Sequence, residues 1–294
     1  MDFMEYCRTQ GAVLLDGAMG TELDKRGLMG RSEANLSIPA DIVEVHRAYV
    51  EAGAQAVITN TLTMNRVYIE LHNIGVDVHD VNRTGVELAR KAVDAGQYVL
   101  GNMSSTGQLL EPFGTHTEDD FLEAFGEQAQ ILSEAGVDAI AIETMFDLRE
   151  ALCALKACKE RTDLPVIVGI AFKTEDRGGR TIMGASAADC AQKLTEAGAD
   201  VLGANCGDID PSQMAEIIGL LRKETDLPIL AEPNAGKPKL VDGETKFDMG
   251  PIPFAVGVGE CLDAGATIVG GCCGTTPDHI RAVSELIQRR NSSQ

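Results

Sequence analysis

Tryptophan is absent, and aromatic residues fill only 4 % of the 294 positions. An aromatic cage for a quaternary ammonium group is therefore hard to assemble. Positive charge is scarce too. Lys and Arg number 25 against 45 Asp and Glu, a net charge of −20. So acidic a chain has no basic surface with which to displace counterions. That argues against nucleic acid and against an anionic membrane as partners, and leaves open attraction to a basic protein. No apolar run approaches the ~20 residues of a membrane span. Met1 to Gln10 is polar and lacks the apolar stretch of a secretory signal, so a cytoplasmic location is expected. In that reducing compartment the eight cysteines read as core residues, metal ligands or nucleophiles rather than disulfides. Neither a G-x-G-x-x-G nor a P-loop follows any predicted strand, so no nucleotide signature is present.

What is present is rhythm. An acidic residue with Ala-Gly closes an amphipathic stretch and precedes a short apolar run. This occurs at Glu51-Ala52-Gly53, Asp94-Ala95-Gly96, Glu134-Ala135-Gly136, Glu196-Ala197-Gly198 and Asp263-Ala264-Gly265. Glycine after a helix takes positive φ without a Cβ penalty and ends it. The runs that follow are too short for helices and read as strands buried on both faces. Proline does the stopping at Thr162-Asp163-Leu164-Pro165 and Thr225-Asp226-Leu227-Pro228. With an opening strand at Val13-Leu14-Leu15, eight strands are predicted, starting near residues 13, 56, 98, 139, 166, 201, 229 and 268. Each is followed by a helical stretch. Eight βα units in a chain of this size predict a single-domain (β/α)₈ TIM barrel over residues 1–294. The tail Arg289 to Gln294 is expected to fray.

Such barrels carry their active sites at the C-terminal ends of the strands. Read in order, those ends are Asp16-Gly17, Thr59-Asn60-Thr61, Asn102, Glu143-Thr144, Phe172-Lys173, Asn205-Cys206, Glu232-Pro233-Asn234 and Gly271-Cys272-Cys273-Gly274. Cys206 alone reads as a core thiol. Together with the adjacent pair Cys272 and Cys273, two strands away, it reads as a ligand set for one ion. Three protein ligands with an open fourth position are the pattern of catalytic zinc, and thiolates select Zn²⁺ over Mg²⁺ or Ca²⁺. Three thiolates make a poor generator of hydroxide but suit a thiol ligand kept deprotonated and nucleophilic. Asp16 and Glu143 read as a clamp for the ammonium of an amino-acid substrate, with Asn234 and the backbone near Thr59, Asn60 and Thr61 holding its carboxylate; capping and loop bonding are the plain alternatives. Cys7, Cys153, Cys158, Cys190 and Cys261 read as packing residues. His46, His72, His79 and His279 fall on predicted helices as surface or packing groups, and His116 lies in the loop after the third strand.

These stretches together resemble the homocysteine S-methyltransferase family. The resemblance rests on Asp16-Gly17-Ala18-Met19-Gly20-Thr21, Thr59-Asn60-Thr61 with Asn65, Glu143-Thr144, Gly203-Ala204-Asn205-Cys206, Pro233-Asn234-Ala235-Gly236 and Gly270-Gly271-Cys272-Cys273-Gly274. It runs in order along the whole chain, and Pro233 to Phe247, with Val241-Asp242-Gly243, is most similar to the methionine synthase branch. It implies a (β/α)₈ barrel, zinc on Cys206, Cys272 and Cys273, and homocysteine held by Asp16, Glu143 and Asn234. The pattern departs at Leu62, Ser104-Ser105 and Lys237, near the expected mouth, where the family more often has Phe, Gly-Pro and Leu. The implied reaction is methyl transfer to a thiol, yielding methionine. The folate, cobalamin and reactivation modules of the cobalamin enzyme have no counterpart here. The methyl group is therefore expected from a separate corrinoid protein or a small onium such as S-methylmethionine. Two other readings stand beside this one: a zinc enzyme passing a methyl group from a methylated small substrate to a corrinoid protein, and a non-catalytic thiol-binding barrel.

Overall fold

The computed structural model describes residues 1–28, 31–241 and 243–292. All eight predicted strands are present. They are β1 (Val13–Leu14), β2 (Ala56–Ile58), β3 (Tyr98–Met103), β4 (Ala139–Met145), β5 (Val166–Ile170), β6 (Val201–Asn205), β7 (Ile229–Glu232) and β8 (Ile268–Val269). They form one parallel sheet in the order β1-β8-β7-β6-β5-β4-β3-β2. Helices such as Pro39–Glu51, Glu118–Ala135 and Pro211–Arg222 return the chain from each strand to the next on the outside. The five glycines of the Ala-Gly rhythm, Gly53, Gly96, Gly136, Gly198 and Gly265, all have φ between 88° and 111°. Four of them stand at or just past a helix end; Gly96 instead turns the chain into β3 after a helix that has already ended at Ala92, where Val93 is extended.

The sheet curls into a nearly closed barrel, and the seam between β1 and β2 is closed largely by side chains. One backbone bond crosses it, from Gln55 N–H to the Leu14 carbonyl at 2.7 Å. Below it, Leu14 N–H donates to Gln55 Oε1 at 2.8 Å. Above it, Ile58 N–H donates to Asp16 Oδ2 at 3.1 Å. Apolar side chains fill two spaces. One lies between strands and helices and includes Val57, Phe125, Ile140 and Leu155. The other is the barrel interior, with Leu15, Leu100, Ile167, Leu230 and Ile268. The short helix Phe3–Thr9 adds Phe3, Met4 and Cys7 to that interior cluster. Its rings of Phe3 and Tyr6 pack on Tyr98 at the start of β3, and Gln55 Nε2 donates to Tyr6 Oη at 2.6 Å. It thus plugs the end opposite the mouth.

Two expectations are corrected. The fifth strand does not run into Phe172-Lys173. It ends at Ile170, and the chain leaves the barrel to form a separate hairpin, Phe172–Thr174 with Arg180–Thr181. Phe172 stays buried under the hairpin while Lys173 is exposed. The tail does not fray from Arg289. The last helix continues to Ser292, held where Arg290 reaches Asp263 at 2.8 Å and the Gly259 carbonyl at 3.2 Å. Gln294 lies outside the described residues, as does Asp242 of Val241-Asp242-Gly243. The strands flanking Asp242, Lys239–Val241 and Glu244–Lys246, form an exposed hairpin at the mouth. Among the described residues no helix is long and apolar enough to cross a membrane.

Candidate metal centre and acid pocket

Cys206 follows directly on β6, and Cys272 and Cys273 lie in the loop after β8. The sheet brings them together across β7, with ligand atoms all within 4.8 Å of one another. The backbone is shaped for this approach. Cys206 takes φ 55° and Gly207 φ 80°, and Cys206 N–H donates to the Glu232 carbonyl at 3.1 Å. On the other side Cys272 N–H donates to the Pro233 carbonyl at 2.9 Å, and Ala235 N–H to the Cys273 carbonyl at 2.9 Å. Gly274, at φ 81°, follows the pair; a Cβ there would lie 2.3 Å from Phe247.

The three thiols share charge unequally. Hydrogen bonds from Cys272 and Cys273 hold Cys206 well below the ordinary thiol range despite burial, helped by Gly207 N–H and the Asn234 side chain. The same bonds push Cys272 up, and Cys273 rises to about 12. The cluster thus places its negative charge most readily on Cys206, with the other two thiols donating to it. The geometry also fits. Tetrahedral zinc with Zn–S near 2.3 Å needs sulfurs roughly 3.8 Å apart, within the observed spread. Asn234 lies alongside, its Nδ2 donating to the Gly207 carbonyl at 2.9 Å while its buried Oδ1 has no hydrogen-bond partner. The other five cysteines are buried. Burial pushes Cys7, Cys158, Cys190 and Cys261 up to about 12 and Cys153 to about 11, as inert packing thiols require.

Beside the sulfurs lies a pocket of acids. Asp16, Glu143 and Glu232 are 3 %, 7 % and 2 % exposed. Burial raises all three carboxyls, Glu143 to about 7. Glu143 and Glu232 are hydrogen-bonded to each other, and the charge on Asp16 raises both. The bond between them raises Glu232 and lowers Glu143, so Glu232 donates it and Glu143 accepts. Glu232 was read from the sequence only as a strand end, not as a site residue. Its signal was the strand-end position itself, in the triplet Glu232-Pro233-Asn234. Gly270 gives it room, since a Cβ there would lie 2.9 Å from Glu232 Oε1. Behind Asp16 sits His46, fully buried, its Nδ1 3.7 Å from Asp16 Oδ2. That is too long for a hydrogen bond, and both ring nitrogens lack a hydrogen-bond partner.

Thr59 and Asn60 lie next to this pocket but are occupied. The Thr61 hydroxyl donates to the Asn102 carbonyl at 2.8 Å, so the 2.7 Å contact with Thr59 uses the Thr59 proton. Asn60 Nδ2 donates to the Arg31 carbonyl and to Asn35 Oδ1, both at 3.1 Å. The Asn102 amide turns instead to Glu143.

Comparison with known proteins follows the same lines. The sequence profile of the family described as homocysteine S-methyltransferase matches residues 13–287. A methionine synthase of Mycobacterium leprae is 33 % identical over 96 % of this chain, and one of Mycobacterium tuberculosis is 32 % identical over 95 %. The chain spans about a quarter of the length of these relatives. The apo form of the homocysteine methyltransferase MmuM from Escherichia coli superposes with a TM-score of 0.74 at 25 % identity, covering 95 % of this chain and 96 % of that one. Its metallated form superposes with a TM-score of 0.78 at 24 % identity, covering 96 % and 98 %.

Proposed function

Because the chain belongs to the homocysteine S-methyltransferase family and is thus a methyltransferase, we propose that it methylates the thiol of L-homocysteine to give methionine. One observation carries the reading. A three-thiol cluster and a pocket of three buried carboxyls open on one barrel mouth, matching the two ends of an amino-acid thiol. Zinc is the proposed cofactor, held by Cys206, Cys272 and Cys273. When bound, it supplies a site where the substrate thiol is held as a thiolate near neutral pH.

The residues of the chain do the rest. Asp16 and Glu143 take the substrate ammonium, and Glu232, hydrogen-bonded to Glu143, orients that carboxylate. Asn234, with an acceptor free and its donor on the Gly207 carbonyl, fixes the loop beside Cys206. Since the hydroxyl protons of Thr59 and Thr61 are committed, the Thr59–Thr61 main chain is the part left for the substrate carboxylate. Asn60 acts through the loop it ties to Asn35. Held at both ends, the substrate sulfur faces the open mouth in a near-attack orientation. A C–S bond forms to the incoming methyl as its bond to the donor breaks, and the thiol proton goes to solvent. The donor is a methyl-corrinoid protein or an S-methylmethionine-like onium. The acid pocket favours an amino-acid acceptor over the reverse transfer to a corrinoid protein.

Isothermal titration of L-homocysteine into zinc-loaded protein tests this. Micromolar binding with release of a proton, seen as a dependence on buffer ionisation heat, is expected. Absence of binding with one zinc per chain in place would sink it.

A further inference from the structure

Asn205 closes β6 and touches neither end of the substrate site. Its side chain, 1 % exposed, reaches instead across the barrel wall. Oδ1 accepts from Thr144 N–H at 2.8 Å, and Nδ2 donates to Thr144 Oγ1 at 2.9 Å. Thr144 belongs to β4, and β5 lies between the two strands. The amide passes over Gly169 of β5, where a Cβ would meet Asn205 Oδ1 at 2.7 Å. Any larger residue there would close the passage.

What the amide grips is irregular. The register of β4 on β5 shifts between Ile142 and Met145, and within that bulge Thr144 takes φ 58°. A β-branched residue rarely sits in that region unless its surroundings hold it there. Glu143 is in the same bulge. On the other side, Cys206 follows Asn205 and is itself at φ 55°. One side chain therefore joins the turn that aims an acid of the pocket to the turn that aims a sulfur.

We infer that Asn205 is a positioning residue that sets Glu143 relative to Cys206, fixing the span between the ammonium pocket and the thiol site. The inference rests on the homocysteine reading above. It makes a demand that a merely structural hydrogen bond does not: the two ends of the ligand should respond differently. A thiol with an ammonium must bridge both half-sites, whereas 4-mercaptobutyrate, which is homocysteine without the amino group, uses only one.

The test is titration of both thiols into zinc-loaded wild type, Asn205→Ala and Gly169→Ala, with zinc content and melting temperature measured alongside. Gly169→Ala displaces the Asn205 amide from a different strand, and keeps the test available if Asn205→Ala does not fold. Both variants are expected to weaken homocysteine about tenfold or more, to leave 4-mercaptobutyrate within about twofold, and to keep one zinc per chain. Adding Thr144→Gly to Asn205→Ala should recover homocysteine affinity, because glycine accepts positive φ without the clamp. Equal weakening of both thiols, unchanged homocysteine affinity, or loss of zinc would each overturn the inference while the homocysteine reading stands. A wild type that binds no homocysteine overturns both.

Discussion

Glu143 is the residue whose charge decides most. Burial first, then the neighbouring Asp16, lift its carboxyl from 4.5 to about 7. Over that window the folded chain keeps a proton that the unfolded chain has released. Stability contributed at this site therefore falls as pH rises from the unfolded value through the folded one. In metal-free protein, Glu143→Gln should gain stability relative to wild type as pH climbs from about 5 to about 8. Paired melting curves check this, and a constant or shrinking difference would contradict it. On the homocysteine reading the same residue binds when charged. Glu143→Ala should weaken homocysteine by roughly 10- to 100-fold, the worth of a charge-assisted hydrogen bond, without loss of zinc. Cys273 answers differently. Cys273→Ala removes one of the three proposed ligands and should leave the protein below one zinc per chain by atomic absorption; full retention would refute its assignment.

At the scale of elements, the turn after β6 leaves no room for a side chain at Gly207. Gly207 sits at φ 80°, and a Cβ there would lie 2.2 Å from the Phe172 carbonyl oxygen. Gly207→Ala should cost about 1–3 kcal/mol from backbone strain alone and lower zinc affinity by moving Cys206, measured by melting and chelator competition. A variant as stable and as metal-retentive as wild type would show that the turn can yield. The elements themselves were legible because each rests on local chemistry: a glycine or proline stop, then a short run of Val, Ile and Ala. The cysteine triad was legible because strand-end positions in a barrel converge. What escaped the sequence depends on contacts distant along the chain. The hairpin at Phe172–Thr181 looks like strand continuation until Phe172 pairs with Thr181 instead of with a barrel strand. Glu232 looks like any strand-end acid until Gly270 opens space for it. His46 has the spacing of a packing residue, and only the fold places it behind Asp16. Nothing local in Thr144 announces positive φ.

For the whole molecule, the proposed metal site is also a tie. Cys206 and the Cys272–Cys273 loop come from strands separated by β7, so an ion held there joins two sectors of the wall. A ligand that binds only the folded chain stabilises it by mass action. Stripping zinc with a chelator should lower the melting temperature, and zinc should restore it. Cys273→Ala should show much less of this response. Differential scanning calorimetry with and without zinc decides, and an unchanged melting point in wild type would count against a bound, structurally coupled ion.

The seam between β1 and β2 leads to a different use. Asp16 closes the barrel through Ile58 N–H with one oxygen and belongs to the acid pocket as well. Anything that draws on the Asp16 carboxylate must therefore register at a backbone amide on the neighbouring strand. The Ile58 amide is in effect a built-in spectroscopic probe. Its proton and nitrogen chemical shifts should report the arrival of an ammonium ligand without any label placed in the site.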